Sequence, residues 1–371
     1  MSTLFSPFKL RSLVAPNRIV VSPMCQYSAD DGRANAWLMI HLGNLALSGA
    51  GILFIEATAV ESVGRITPGC LGLWDDATES ALEPVLAAIR RHSPVRVVQQ
   101  LAHAGRKASS EVPWRGGQLI PIAAGGWLPH GPSAIEHKQG EAPPLALDAA
   151  GLRRVREAFV NSARRAARLG VDGIELHSAH GYLLHQFLSP ISNRRTDEYG
   201  GSLANRLRFP LEVFDAVREV FPADKPVGVR VSATDWVEGG WNIEQTIAFI
   251  QELKKRDVDW VDVSSGGISP LQKIALGPGY QVPFAQAVKD ATGVNTMTVG
   301  LITDAHQAEE IVASGKADLV AFARAMLYDP RWPWHAAAQL GATIEGAPPQ
   351  YWRAPPHGQT ALFAHASFGA R

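Results

Sequence analysis

The chain has 371 residues, 46% hydrophobic and 19% charged, which supports a large core and excludes an intrinsically disordered protein. Its 35 Lys+Arg balance 35 Asp+Glu, so no global field recruits nucleic acid or an anionic membrane. Two cysteines cannot build a disulfide framework, Met1–Lys9 has no signal-peptide pattern, and no apolar run nears the roughly 20 residues of a membrane span; the expectation is a soluble, cytoplasmic protein.

In chain order, short β-branched runs alternate with helical patterns. A strand at Arg18–Pro23 precedes a helix near Trp37–Ser48, and Ile52–Thr58 precedes Thr78–His92. Arg96–Leu101 is followed by a Pro/Gly-rich stretch from Pro113 to Pro144, read as a loop insertion, and then by a helix at Leu152–Leu169. In that helix Leu152, Val155, Phe159, Ala163, Ala166 and Leu169 approximate a 3.6-residue period. Gly173–His177 precedes a helix over Leu203–Phe221, which Pro210 should kink or restart. Pro226–Val231 pairs with Glu244–Lys255, Trp260–Ser264 with Phe284–Asp290, Asn295–Val299 with Ala305–Ala313, and Leu319–Phe322 with Trp332–Leu340.

Eight such units match an α/β fold of the (β/α)8 TIM-barrel type, which takes about 250 residues plus insertions. A doubly wound sheet fits poorly, because no G-x-G-x-x-G follows the first strand and no P-loop is present. Residues 1–353 therefore read as one barrel domain with a loop insertion at about 113–144. Residues 354–371 read as a C-terminal tail with little order.

The segment Ile174-Glu175-Leu176-His177-Ser178-Ala179-His180-Gly181-Tyr182 is a strand ending in two imidazoles and a phenol. Three neutral donors there make a site for an oxygen that gains negative charge, with a weak acid beside it. Taken alone, a histidine at a strand end is as often a satisfied structural residue. Zinc needs three or four ligands, and the chain has two thiols and no H-E-x-x-H frame, so no metal is expected. Barrel active sites lie at the C-terminal strand ends. There the chain gathers Pro23-Met24-Cys25-Gln26-Tyr27, Glu56-Ala57-Thr58, Gln100, Arg230, Gly266, Gly300 and Arg324, a set suited to a planar cofactor with a phosphate.

With those residues in view, the chain resembles the Old Yellow Enzyme family of ene-reductases, and within it the thermophilic-like subclass that includes xenobiotic reductases. The resemblance rests on Pro23-Met24-Cys25-Gln26-Tyr27, Gln100-Leu101-Ala102-His103-Ala104-Gly105-Arg106-Lys107 and His177-Ser178-Ala179-His180-Gly181-Tyr182. It rests further on the run Ser192-Asn193-Arg194-Arg195-Thr196-Asp197-Glu198-Tyr199-Gly200-Gly201-Ser202, with Asn205-Arg206 and Arg208-Phe209.

The resemblance implies non-covalent FMN, with Pro23, Met24, Cys25 and Ala57 lining the ring, Gln100 bonding its pyrimidine edge and Arg230 near that end. It implies Gly300 and Arg324 at the phosphate, with Gly266 and Ala323 in the same cofactor shell. Ala323 stands where the family usually has a glycine. NADPH or NADH would be the reductant. The substrate, an α,β-unsaturated carbonyl or nitro compound, would be gripped by His177 and His180 with Tyr27 nearby. Hydride would come from flavin N5 and a proton from Tyr182, while Cys25 tunes the flavin without forming a covalent bond. The subclass further implies a homodimer or dimer of dimers, in which Arg353, beside Trp352, completes the partner's pocket. A flavin-dependent tRNA reductase would need a basic face and an RNA-binding domain. Iron–sulfur relatives would need a cysteine cluster. A phosphate-sugar lyase would lack the flavin.

Overall fold

The computed structural model describes residues 2–359 and 361–366. Eight strands close into a barrel in which each pairs in parallel with its chain neighbours: β1 (Ile19–Val21), β2 (Ile52–Ala59), β3 (Arg96–Ala102), β4 (Gly173–Ser178), β5 (Val227–Ser232), β6 (Trp260–Ser264), β7 (Thr296–Thr298) and β8 (Leu319–Phe322). All eight expected strands form, and the fold is the (β/α)8 barrel read from the sequence. Strands covered on both faces select apolar β-branched residues, as in the wholly buried β2. Register ties β4 to β5 through His177 opposite Arg230, and β5 to β6 through Arg230 opposite Asp262, so three polar side chains sit side by side at one barrel level.

The helices ring the barrel: α1 (Ala36–Ala46), α2 (Asp76–His92), α3 (Ala149–Arg168), α4 (Leu183–Leu188), α5 (Leu203–Val220), α6 (Ile243–Lys254), α7 (Val282–Thr292), α8 (Ala305–Ala313), α9 (Arg324–Tyr328) and α10 (Trp332–Leu340). Side-chain caps set their starts: Asp75 in a capping box with Thr78, then Asp148, Ser202, Asn242 and Asp304. Of the kink or restart expected at Pro210, the restart does not occur: the helix runs through it as one element. Buried Phe209, Leu211 and Phe214 anchor that turn in the core and offset the lost backbone bond.

A hairpin, Phe8–Leu10 with Leu13–Ala15, closes the N-terminal end of the barrel. Its Leu10, Leu13 and Ala15 pack on the inward side chains Phe54, Trp260 and Leu319. The 113–144 insertion holds two short 3-10 turns, and at its end His130–Gly131 pairs with Leu145–Ala146. In the C-terminal tail, Leu362 and Phe363 are buried against Trp334, Ala337 and Ile344, and the amide of Ile344 donates to Leu362 O at 2.7 Å. The rest of the 354–371 expectation, residues 360 and 367–371, lies outside the described residues.

Candidate active site

The site is built from the ends of β4, β5 and β6. His177 is buried at the end of β4, and its Nδ1 accepts the Ala179 amide at 3.2 Å. In the neutral ring this puts the proton on Nε2, a donor facing away from the backbone. His180 has a left-handed backbone, φ 56°. Its amide donates to Ser232 Oγ at 2.9 Å, and its Nε2 lies 2.7 Å from Ser264 Oγ. When Ser264 donates to Nε2, Nδ1 becomes the second donor. Gln281 Oε1, 3.3 Å from that hydroxyl, competes weakly because Ser265 already donates to it at 2.6 Å. Burial, then the Arg230 charge, hold both histidines well below the ordinary imidazole range, so both are neutral. The ring of His177 lies 5.2 Å from that of His180 and 4.8 Å from that of Tyr182, centroid to centroid. Burial pushes the Tyr182 phenol well up, so it keeps its proton.

Glycines let the β6 loop meet this wall. A Cβ on Gly267, φ 95°, would fall 2.5 Å from the His180 backbone, so only glycine allows the approach that fixes His180.

Pro23, Met24, Cys25 and Tyr27 follow β1 and are half-buried. Glu56 Oε2 accepts the Gln26 amide at 3.0 Å and so anchors this segment. Tyr27, φ 54°, packs edge-on to Trp114 of the insertion at 5.8 Å. Burial first, then neighbouring Cys70 and Glu56, raise the Cys25 thiol; a protonated thiol is a poor nucleophile. Burial raises Glu56 to about 8. Ala57 is buried on β2.

Beneath lies a polar network. Gln100 Nε2 donates to Glu175 Oε1 at 2.8 Å, and Trp260 Nε1 donates to Oε2 at 3.0 Å. Arg230 Nε lies 3.0 Å from Asp262 Oδ2, an ion-pair distance at an angle that makes no hydrogen bond. Burial, then the Asp262 charge, raise Glu175 to about 8 against the opposing pull of Arg230. Arg230 also lines a cavity of about 180 Å³ with Gly300, Ala323 and Arg324. A Cβ on Gly300, φ 130°, would lie 2.9 Å from Gln281 Nε2 and 3.0 Å from the Tyr280 ring, closing this cradle. Ala323 has φ −105°, which requires no glycine. The Arg324 guanidinium beside the glycine cradle at Gly300 suits the phosphate of FMN, and Arg230, next to Asp262 deeper in the barrel, suits its pyrimidine end together with Gln100.

The fold thus brings together the expected residues from β1 to β8. Gly266 belongs to the loop: its carbonyl accepts from Ser232 Oγ at 2.8 Å and its amide donates to Thr234 O. Trp352 and Arg353 are not at the chain's own site. Trp352 Nε1 donates to Ala347 O at 2.9 Å, and neighbouring Tyr351 borders Leu47, Arg91 and His92, which precede β2 and β3 on the opposite rim. Asp262 went unnamed in the sequence, and Glu56 and Glu175 stood in strand-end segments with no role of their own, although an acidic residue inside an apolar strand is itself a signal. Among the described residues no group of three or more His, Cys, Asp or Glu could hold a metal, and no helix is long and apolar enough to cross a membrane.

Comparisons with known proteins identify the family and the fold. A sequence profile of the NADH:flavin oxidoreductase / NADH oxidase family matches residues 3–342. The chain is similar to an NADPH dehydrogenase of Geobacillus thermodenitrificans, 45% identical over 354 residues, covering 95% of this chain and 98% of the relative. A Listeria welshimeri NADPH dehydrogenase is 43% identical over 356 residues, covering 95% and 99%. Among solved structures, morphinone reductase superposes with a TM-score of 0.76 at 28% identity, over 99% of this chain and 94% of that one. A 2-naphthoyl-CoA reductase, TM-score 0.82 at 24% identity, covers 92% of this chain and 52% of that one and speaks for the fold alone. The chain therefore belongs to the NADH:flavin oxidoreductase / NADH oxidase family of Old Yellow Enzymes, flavin enzymes that use FMN and a nicotinamide reductant.

Proposed function

We propose that this oxidoreductase is an ene-reductase of the thermophilic-like subclass, acting on the C=C bond of α,β-unsaturated carbonyl or nitro compounds. One observation carries the reading: two neutral imidazoles and a protonated phenol converge, with ring centroids 5.2 and 4.8 Å from His177. Arg324 and Gly300 would hold the FMN phosphate, Gln100 and Arg230 its pyrimidine end, and Met24, Cys25 and Ala57 its ring; the flavin, when bound, would supply the hydride. His177 Nε2–H and His180 Nδ1–H bind the substrate oxygen and draw electron density from the alkene. Because both rings are neutral, they donate hydrogen bonds without surrendering a proton. Tyr182 holds its proton until the α carbon takes it. Tyr27, on the facing segment, adds a hydroxyl beside the oxygen.

Purified protein should show the yellow spectrum of oxidised flavin. Tyr182→Phe separates the two halves of turnover. In stopped flow, NADPH should bleach the variant at the wild-type rate, while an enone restores the colour about 10²–10⁴-fold more slowly, the usual loss on removing a general acid. Equal slowing of both phases would remove Tyr182 from the proton-donor role.

A further inference from the structure

Beyond β3, buried Arg106 and half-buried Lys107 have no acidic partner within ion-pair distance among the described residues. Arg106 is 6% exposed. Its Nη1 donates to the carbonyls of Ile135 and Glu136, and its Nη2 to Ile268 O at 2.7 Å, while Nε is buried with no partner. Lys107 Nζ donates to His180 O at 2.8 Å and Gly267 O at 3.1 Å, leaving one of its three protons. Lys138 is the third cation. Among the described residues none of the three forms an ion pair.

All three line a cavity of about 340 Å³, with Tyr27 at one edge and Glu111 and Glu141 also on the wall. Three cations outnumber those two carboxylates, neither of which is within ion-pair distance of them. The side chain of Glu141 takes the Lys138 backbone amide at 3.2 Å instead. Burial lowers Arg106 to about 10 and Lys107 to about 8. Burial, then the charges of Lys107 and Arg106, lower His137 to about 3, so this wall imidazole is neutral. Buried Lys and Arg normally have a counter-charge in contact; here Asp235 and Glu141 act on Arg106 only from beyond ion-pair distance. The cavity falls at the lower end of ordinary ligand pockets, about 300–1,000 Å³, so it admits more than a bare ion. It also meets the reaction site: besides Tyr27 on its wall, Lys107 lies 5.1 Å over the Tyr182 ring and holds the His180 carbonyl.

We propose that this cavity is an anion subsite, in which a phosphate monoester or carboxylate carried by a ligand of the active site lies among Arg106, Lys107 and Lys138. The inference rests on the reading of His180 and Tyr182 as the substrate wall. Two sources share this chemistry: the 2′-phosphate that distinguishes NADPH from NADH, and an acidic substituent on the enone.

Calorimetry on the flavin-loaded protein separates them, with NADP+ against NAD+ and 3-oxocyclohex-1-ene-1-carboxylate against its methyl ester. The more anionic member of one pair should bind about tenfold more tightly, the scale of one charge-assisted hydrogen bond. Lys138→Gln, whose side chain makes no described hydrogen bond, should remove most of that preference. An advantage confined to NADP+ assigns the dinucleotide phosphate, and one confined to the acid assigns the substrate. Equal affinity within both pairs overturns the subsite. So does a preference that survives both Lys138→Gln and Arg106→Gln in protein of wild-type flavin content and melting temperature. Binding heat does not depend on turnover. A protein that prefers the anionic ligands yet reduces no enone would therefore defeat the ene-reductase reading and leave the subsite standing.

Discussion

Glu56 shows what a single buried residue contributes. It is 2% exposed, one oxygen takes the Gln26 amide, and the other is buried with no partner. Burial raises its pKa from 4.5 to about 8. Between those values the folded protein keeps a proton that the unfolded chain has lost. Stability must then fall as pH rises through this window, by at most about 1.4 kcal/mol per unit for one group. Below pH 4.5 both states are protonated and the penalty vanishes; above about 8 it is fully present. Glu56→Gln keeps an oxygen for the Gln26 amide and removes the titration. Its stability relative to wild type, read from denaturant unfolding, should therefore climb between pH 5 and 8. A difference that stays flat across that range would mean Glu56 is ionised in the fold. His177, His180 and Tyr182 were legible because their spacing is itself a chemical pattern. Glu56 and Glu175 were not, because their meaning lies in partners on other strands: the Gln26 segment for one, and Gln100 and Trp260 for the other.

At the scale of elements, legibility followed length and periodicity. β6 and β8 form over the expected residues, being apolar runs bounded by turn residues. The hairpin went unseen because Phe8–Leu10 and Leu13–Ala15 are three residues each, too short to show a period. α4 went unseen because all six of its residues are buried, which erases the amphipathic stripe. The hairpin nonetheless closes the barrel opposite the site, with Leu13 2% exposed among Phe54, Trp260 and Leu319. Leu13→Ala should cost about 2–5 kcal/mol in urea unfolding, the usual range for a buried leucine, and the protein should still purify yellow. A loss well under 1 kcal/mol would mean that the hairpin does not seal this core. A colourless variant would mean that the two ends of the barrel are coupled.

At the scale of the molecule, the surface along α1 is incomplete. Trp37 and Ile40 on α1 are 50% and 65% exposed, and Leu327 and Tyr328 on α9 are 48% and 94% exposed. Exposed aromatic and aliphatic side chains of this kind suit a protein interface. α1 also links the two rims. At its start Trp37 Nε1 donates to Gln26 Oε1, next to Tyr27 of the site. At its end the Asn44 carbonyl accepts from Arg331, whose guanidinium stacks over Trp334 and Tyr351. If two copies pair across a twofold axis with their α1 helices antiparallel, the Tyr351 rim of one meets the Tyr27 rim of the other, as an isologous interface requires. Arg353, two residues beyond Tyr351 and exposed, would then reach the partner's pocket. We propose this homodimer, with Arg353 acting in trans. Truncation before Tyr351 should weaken the dimer and raise KM for enones while each barrel keeps its flavin. Mixing Arg353→Ala subunits with Tyr182→Phe subunits is the sharper test. In a heterodimer with Arg353 acting in trans, one pocket carries both defects and the other neither, so activity recovers in part. If Arg353 serves its own subunit, both pockets are damaged, and verified heterodimers with no recovered activity would rule out the trans arrangement.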